Sequence, residues 1–330
     1  MMYNKINLQL FAEPAVQTTL LNNKAGNNDL SPEMKTFYDM TLIDEASANL
    51  VHDQFGQKRP IPANGGKTIE FRKFSSLPKA TTAITEGVTP AGNKLNVTAL
   101  TATVEQYGDF ITQSDVLELT ALDNTILEAT KLLGKQAGLT LDTIVRDKIH
   151  SENKSFFFPG DVATRSALTD DSQLTVEVIQ AAVAHLRAQN APTINGKYVA
   201  IIHPYAAYDL MRDPEWIDAH KYANPTNLYE GEIGEVAGVR FVQTTEAKIY
   251  EGGVFSTLVF GEGAYGVTEI SGGGLQTIVK QKGSAGTADP LDQRSSVGWK
   301  AIKTAELLIP NYLVRVESKS ATFSATVAEN

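Results

Sequence analysis

The longest regular pattern in this 330-residue chain is helical. Apolar residues recur at spacings of seven and four, at positions 126, 133, 137, 141, 145 and 149. This spacing is that of one helix face, so it predicts a long helix from Asp123 to His150. Gly134 and Gly138 lie inside it, and each costs about 1 kcal/mol relative to alanine. The two glycines therefore indicate a close backbone approach or a bend.

The segment before this helix begins with a polar arm and a shorter helix. Residues 1–30 are loosely patterned, although Ile6, Leu8 and Leu10 alternate as in a strand that could pair with a sheet edge. Ser31-Pro32-Glu33 supplies an N-cap, a proline at the first helical position and an early carboxylate. The pattern predicts a helix from there to near Gly56.

Residues 60–114 have a different character. The stretches 68–74 and 97–107 carry β-branched and aromatic residues and predict two strands. The connection between them is poor in large apolar residues and contains several glycines and prolines. Because so long a connection has little to bury, it is either disordered or packed against something outside the chain.

The second half of the chain predicts a mixed α/β arrangement. Helices are predicted at 175–190 and 204–217, and strands at 197–204, 238–247, 256–270, 275–282 and 295–318, the last interrupted near Pro310-Asn311. The closing strands must return to the long helix. The order of elements thus predicts one discontinuous domain with a second domain inserted in it.

Gly65-Gly66-Lys67-Thr68 looks like the end of a phosphate-binding loop, which would make the chain a nucleotide-dependent enzyme that uses Lys67. That loop needs an earlier glycine, where this chain has Ile61, and it must lead into a helix. Here a strand pattern follows instead. A turn before a strand is the favoured interpretation.

Charge and composition exclude several classes of protein. With 29 basic and 38 acidic residues, the net charge of −9 opposes tight, non-specific wrapping of nucleic acid. The basic pairs Lys58-Arg59, Arg72-Lys73 and Lys280/Lys282 are interpreted as solvated surface. The absence of cysteine excludes disulfides and thiolate zinc sites. It also leaves open a secreted β-rich binding module, against which the long helix and the lack of a signal-peptide core weigh.

No pattern of catalytic or metal-binding residues emerges. The five histidines lack metal-ligand spacing, and no G-x-S-x-G turn is present. Asp170-Asp171 precedes a helix, where acidic residues favour the positive end of the dipole. The glycines at 231, 234 and 238 have the wrong spacing for a dinucleotide site and are interpreted as turn residues. Trp216 and Trp299 are expected to be packing residues, and no cofactor is expected.

Seven stretches together resemble a known family. They are "INLQLFAE", "GQKRPIPANGGKTIEFRKF", "ITEGVTPAG", "VEQYGDFITQSD", "IHPYAAYDLMRD", "GEIGEVAGVRFVQTTEA" and "DQRSSVGWKAIKTAELL". Their order and spacing resemble the major capsid proteins of tailed bacteriophages, and within these the group similar to the major capsid protein of phage N-four.

The resemblance implies an α+β fold of the Hong Kong ninety-seven type, with an N-terminal arm, an extended β-hairpin loop, a peripheral domain built on a long spine helix, and a mixed α/β axial domain. The implied bounds are 1–59 for the arm and first helix, 60–112 for the extended loop, 113–169 with 286–330 for the peripheral domain, and 170–285 for the axial domain. The expected contacts between subunits are Ile6, Leu8, Leu10, Lys67, Ile69, Phe71, Arg72, Phe74, Glu86 and Arg294.

The implied function is structural rather than enzymatic. The chain would form hexamers and pentamers of an icosahedral shell around a double-stranded DNA genome, which it would touch only weakly. The implied partners are itself, a scaffolding protein, a portal and a decoration protein, with no membrane. Assembly would take place in the bacterial cytoplasm and the product would be the virion. The alternative within the same fold is an encapsulin-like compartment that encloses enzyme cargo.

Overall fold

A computed structural model describes residues 21–24, 27–30, 32–47, 49–74, 77–84, 86–87, 89, 92–120, 125–153, 155–160, 162–223, 234–284 and 289–330. The expected arm contacts at Ile6, Leu8 and Leu10 lie outside these residues. The chain divides into two compact units. The first comprises residues 1–45, 108–136 and 275–300, and the second comprises residues 46–107, 137–274 and 301–330. The domain bounds implied by the resemblance stay a prediction.

The described helices are α1 (Pro32–Ser47), α2 (Asp115–Thr120), α3 (Thr125–Glu152), α4 (Val176–Ala188), α5 (Pro204–Met211) and α6 (Pro214–Ala223). The described strands are β1 (Leu21–Lys24), β2 (Asn27–Leu30), β3 (Gln57–Lys58), β4 (Thr68–Phe74), β5 (Val97–Thr103), β6 (Glu105–Ser114), β7 (Phe156–Phe157), β8 (Tyr198–Ile202), β9 (Glu235–Val236), β10 (Val239–Gln243), β11 (Ile249–Tyr250), β12 (Val254–Phe260), β13 (Tyr265–Glu269), β14 (Gln276–Lys280), β15 (Arg294–Leu307) and β16 (Leu313–Lys319).

The core of the second unit is a sheet covered on both faces. Its strand order is β7-β16-β12-β8-β10-β9, and β11 pairs with β12. All five residues of β8 are buried, because alternate side chains enter opposite cores. Ala200 and Ile202 pack with the apolar face of α4 and with Trp216. Val199 and Ile201 pack with Val145 and Ile149 of α3 and with Phe260, among others.

The two glycines of α3 mark where α1 packs against it. A Cβ built on Gly134 would lie 2.9 Å from the carbonyl oxygen of Leu42, within the first unit. A Cβ on Gly138 would lie 2.5 Å from the carbonyl oxygen of Ala46, within the second. The predicted long helix and the close backbone approach at its glycines are both confirmed.

In the first unit, β15 forms backbone hydrogen bonds with two other strands, β14 and β6. Residues 296–300 pair antiparallel with β14, and β6 also pairs with β15. Gly108 and Gly298 lie at close crossings, since a Cβ on either would come within 2.7 Å of the opposite strand. Trp299 is 3% exposed, and its indole N–H donates to the Oε1 atom of Gln136 at 3.3 Å. Trp299 and Trp216, which is 1% exposed, are therefore packing residues, as predicted.

Two predicted helix boundaries are wrong. Helix α1 ends at Ser47 rather than near Gly56, and the N–H groups of Asn49 and Leu50 donate three residues back, to Ala46 and Ser47, as in turns; further on, the N–H of His52 donates to the Oδ1 atom of Asp142 at 2.7 Å. The single helix predicted over 204–217 is two helices, since Pro214 begins α6 and disfavours helical geometry at the residue before it.

Two further predictions need correction. The strand predicted over 97–107 is interrupted at Val104, whose N–H donates to the carbonyl of Lys67 at 3.0 Å, so that β6 is a separate strand. The carboxylate at the start of α4 is not Asp170 or Asp171. Asp213, 37 residues away, accepts from the N–H of Val176 at 2.8 Å, while Asp170 lies 3.6 Å from Lys319.

Candidate subunit interface

The extended loop is a two-stranded hairpin, and β4 pairs with β5 in register from Thr68↔Thr103 to Phe74↔Val97. The hairpin belongs to the second unit, and one face of its base is covered by other residues of that unit. Ile69, Phe71, Leu100 and Ala102 share this face, because directly opposed residues of an antiparallel pair point to the same side. Ala102 is 2% exposed and Phe71 is 4% exposed.

The turn before the hairpin shows what the Gly65-Gly66-Lys67-Thr68 sequence does. The N–H of Gly65 donates to the carbonyl of Pro62 at 2.9 Å, and Gly66 has a φ of +90° that favours glycine. Lys67 is exposed and leads directly into β4. A phosphate-binding loop must lead into a helix, so the predicted turn before a strand is confirmed.

The base of the hairpin is held by close packing against β13. Phe71 lies over Gly266, where an added Cβ would come within 3.0 Å of its ring atoms. The backbone of Ile61 continues this attachment, since its N–H donates to Glu269 and its carbonyl accepts from Ser271, both at 2.8 Å. The guanidinium of Arg59 lies 5.8 Å from the centre of the Phe71 ring. These contacts therefore fix the base of the hairpin on the rest of the second unit.

Buried polar groups fix the residues beneath this base. The Nδ1 atom of His52 lies 2.7 Å from the Oδ2 atom of Asp142, and both side chains are fully buried. The hydroxyl of Tyr265 donates to the carbonyl of His52, and burial, followed by the charges of Asp53 and Asp142, raises the pKa of Tyr265 well above its ordinary value. Lys303 Nζ lies 2.7 Å from the Oδ1 atom of Asp53.

The distal part of the hairpin is not covered by any of the residues that the structure describes. Every described residue from 77 to 96 is exposed. This includes three large apolar side chains, Leu77 at 55%, Ile84 at 75% and Leu95 at 68% exposed. Val97, at the end of β5, is 49% exposed. The prediction of a long connection without a core of its own is confirmed.

The expected contact residues occupy different environments. Lys67, Arg72 and Glu86 are exposed, Ile69 is half-buried, and Phe71 is buried in its own chain. The ring of Phe71 is thus covered by its own chain, without any neighbouring copy. The side chain of Phe74 lies outside the described residues. Arg294, in the first unit, is 61% exposed and its Nε atom lies 3.9 Å from the Oδ2 atom of Asp289.

Sequence reasoning missed a cavity of about 270 Å³ at the hairpin base. Its walls include Arg59, Phe71, Arg72, Leu100, Leu308 and Ile309. These residues come from four separate stretches of the chain, so no local pattern could have assembled them. Arg59 and Arg72 were expected as solvated surface, and both are exposed, but each also lines this cavity.

Other kinds of site are not evident in the parts of the chain that the structure describes. No group of three or more histidine or acidic residues there is placed to hold a metal ion. Burial holds the pKa of His150 well below its ordinary value, and its ring contacts Ser256 and the carbonyl of Arg146. None of the described helices combines the length and apolar character needed to cross a membrane.

Comparison with known proteins finds similarity to phage capsid proteins. Residues 152–267 match the family described as "Phage capsid protein". A search of curated proteins finds no significant match. Among solved structures, the capsid of Cyanophage P-SCSP1u is similar with a TM-score of 0.65 at 15% identity, over 82% of this chain and 88% of that one.

Two further solved structures share the fold. The Cyanophage Pam1 capsid is similar with a TM-score of 0.61 at 13% identity, over 78% of this chain and 86% of that one. The virus-like particle from Pyrococcus furiosus is similar with a TM-score of 0.52 at 11% identity, over 86% of this chain and 99% of that one. The phage N-four subgroup stays a prediction. The chain therefore shares the fold of these capsid structures, which confirms the predicted α+β fold of the Hong Kong ninety-seven type, and residues 152–267 match the phage capsid family.

Proposed function

We propose that this protein is the major capsid protein of a tailed bacteriophage, which assembles into hexamers and pentamers of an icosahedral shell around double-stranded DNA. The observation that carries the proposal is the uncovered hairpin, with exposed apolar side chains at Leu77, Ile84 and Leu95 on a fixed base. Isolated apolar residues are common on protein surfaces, but a whole extended segment without a core needs a partner.

A second copy of the chain is the partner that fits a shell. Each copy supplies one hairpin and one surface to receive it, so the contact repeats around a ring and over a closed lattice. Weak contacts then add, because every subunit is held at several places at once and dissociation requires all of them to break. The role is structural, and the virion is where the assembled protein would be found.

The remaining partners follow from this role. A scaffolding protein, a portal and a decoration protein would act during assembly in the bacterial cytoplasm. The net charge of −9 suits a wall that encloses DNA without holding it tightly. An encapsulin-like compartment is the second candidate. It ranks behind because the family match is to phage capsid proteins and the virus-like particle has the lower TM-score, 0.52 against 0.65.

A shortened hairpin tests the proposal. Replacing residues 75–96 with Asn-Gly would join Phe74 to Val97 by a two-residue turn that suits paired strands. Because Phe71 and Ala102 remain buried, the variant should keep the melting temperature of the unassembled chain. Electron microscopy of each chain, produced together with the phage scaffolding protein, should show closed shells for the unaltered chain and none for the variant.

The outcomes separate the possibilities. An unaltered chain that remains a monomer beside its scaffolding protein contradicts a shell function. A shortened variant that forms shells as readily as the unaltered chain contradicts the role of the hairpin while leaving the shell intact. Shells that package enzyme cargo instead of DNA during infection or heterologous production would favour the compartment.

A further inference from the structure

The cavity at the hairpin base has the size and chemistry of a receptor for a short peptide segment. Its volume of about 270 Å³ is slightly below the range of about 300–1,000 Å³ that is usual for drug-sized ligands. It therefore suits one or two side chains better than a large cofactor. The residues that form it all belong to the second unit, so its shape depends on that unit alone.

The cavity is apolar inside and basic at its rim. Phe71 is buried in its wall, and Leu100, Leu308 and Ile309 are half-buried around it. Two exposed guanidinium groups, those of Arg59 and Arg72, flank this apolar surface.

One carboxylate near this rim is already engaged. Glu70 Oε1 lies 3.1 Å from the Nε atom of Arg72. The charged residues that line the cavity itself are Arg59 and Arg72, so its lining is positive, while Arg59 also lines a small adjoining cavity with Asp53, Lys58 and Glu269. The complementary ligand is an apolar side chain with a carboxylate a few ångströms away along its backbone.

The distal hairpin presents such a segment. Ile84 is 75% exposed, and Glu86, two residues later, is also exposed. Two residues span at most about 7 Å of extended chain, so the apolar side chain and the carboxylate can enter one cavity together. Ile84 does not fill the cavity of its own chain, since its side chain is open to solvent.

We propose that Ile84 and Glu86 at the hairpin tip of one copy dock into the base cavity of the next copy. Ile84 contacts the apolar wall, and the carboxylate of Glu86 accepts hydrogen bonds from Arg59 and Arg72. This inference rests on the proposed shell function and names the acceptor site for its hairpin. The contact joins two different surfaces, tip and base, so it repeats head to tail and closes into a ring.

Cysteine pairing between two different chains tests the contact, because the protein has no cysteine of its own. A Glu86→Cys chain and an Arg59→Cys chain are assembled together with the scaffolding protein and then oxidised. A non-reducing gel should show a disulfide-linked pair of the two chains, at least about tenfold more abundant than with a matched control. The control replaces Arg59→Cys with Gln180→Cys, an exposed position on α4.

Charge reversal provides a second measurement that does not depend on cysteine. Glu86→Arg or Arg59→Glu alone should raise the concentration needed for assembly at least about tenfold, because like charges then face each other at the contact. The two changes combined in one chain should restore assembly. Each single variant should keep the melting temperature of the unassembled chain, since Arg59 and Glu86 are exposed.

The results distinguish this inference from the function on which it rests. Shells that form normally, with no excess of disulfide over the control and no rescue by the double reversal, overturn the docking site and leave the shell function standing. Absence of shells from the unaltered chain with its scaffolding protein overturns both. Disulfide formation above the control, or rescue by the double reversal, supports the docking site.

Discussion

Replacing Gly138 with alanine should destabilise the fold, although alanine is the better helix former. At an exposed position in the middle of a helix this change gains about 1 kcal/mol. Here the new Cβ would lie 2.5 Å from the carbonyl oxygen of Ala46 and 3.0 Å from the Cβ of Asn49. An ordinary carbon–oxygen contact is about 3.3 Å or longer, so the backbone of α1 would have to move by most of an ångström.

The end of α1 cannot move freely, and for this reason we expect Gly138→Ala to lower the stability of the fold rather than raise it. The N–H of Asn49 donates to Ala46 at 3.1 Å, and His52 is held by Asp142, one turn further along α3. Overpacking a fixed contact costs about 1–3 kcal/mol, and more where backbone must shift. After the gain in helix propensity, we expect a net loss of about 1–2 kcal/mol for Gly138→Ala.

Thermal unfolding of the unassembled chain, followed by circular dichroism, measures this loss. A fall of about 1.5–3 °C in melting temperature is expected, because an unfolding entropy of about 2.1 cal/mol/K per residue corresponds to about 1.4 °C per kcal/mol for a chain of 330 residues. The matched control is Lys135→Gly, an exposed position on the same helix, which should cost about 1 kcal/mol through propensity alone. A higher melting temperature for Gly138→Ala, beside a normal loss for the control, would refute the close-packing argument.

Three further predictions concern buried groups. Phe71→Ala should cost about 3 kcal/mol in urea unfolding, because the ring is 4% exposed and its loss leaves a cavity against Gly266. Glu317→Ala should cost about 3 kcal/mol or more, because it leaves the guanidinium of Arg315, which lies 2.8 Å away and is 6% exposed, without its carboxylate. Burial lowers the pKa of His203 to about 4. As pH falls from about 6.5 to about 4, the unfolded chain therefore gains a proton that the folded chain does not, and the free energy of unfolding falls by about 1–3 kcal/mol from this group. His203→Asn should weaken that pH dependence.

Matched controls keep these three predictions open to refutation. Arg72→Ala and Glu70→Ala break an exposed pair beside Phe71 and should each change stability by less than about 0.5 kcal/mol. Equal losses for these variants and for the buried ones would contradict the assignment of stability to burial. Asparagine at 203 can still accept from the N–H of Tyr205, as the Nδ1 atom of histidine does, so the helix cap is kept. An unchanged pH dependence in that variant would exclude His203 as its source.

The hairpin shows which features could be predicted from the sequence and which could not. Strand β4 was predicted with the residues that the structure gives it, because alternation of Ile69 and Phe71 with polar neighbours is a local signal. The lack of a core in the connection was also visible, since composition alone limits what a segment can bury. Which face of the hairpin base would be covered, and by what, was not visible. Gly266 lies almost 200 residues from Phe71.

Helix ends show the same division. The interior of α3 follows from periodicity over many residues, and its two glycines, which indicated a close approach or a bend, lie at a close approach. The segment after α1 is held at His52 by Asp142, 90 residues away, and the N–H of Val176 at the start of α4 donates to Asp213, 37 residues away. Local pattern overestimated the first helix because it cannot show that the segment after Ser47 will be held by a side chain far away in the sequence.

The sequence by itself determined the long helix, the buried strand β8, the uncovered hairpin and the absence of thiol chemistry. These features depend on which residues are apolar and at what spacing, and the backbone converts such spacing directly into buried and exposed faces. The tertiary structure alone decided that Phe71 is covered by its own chain, that Arg59 and Arg72 flank one cavity, and that His52 is paired with Asp142. Those pairings depend on segments far apart in the chain, and only the packing of the whole sheet and its helices brings them together.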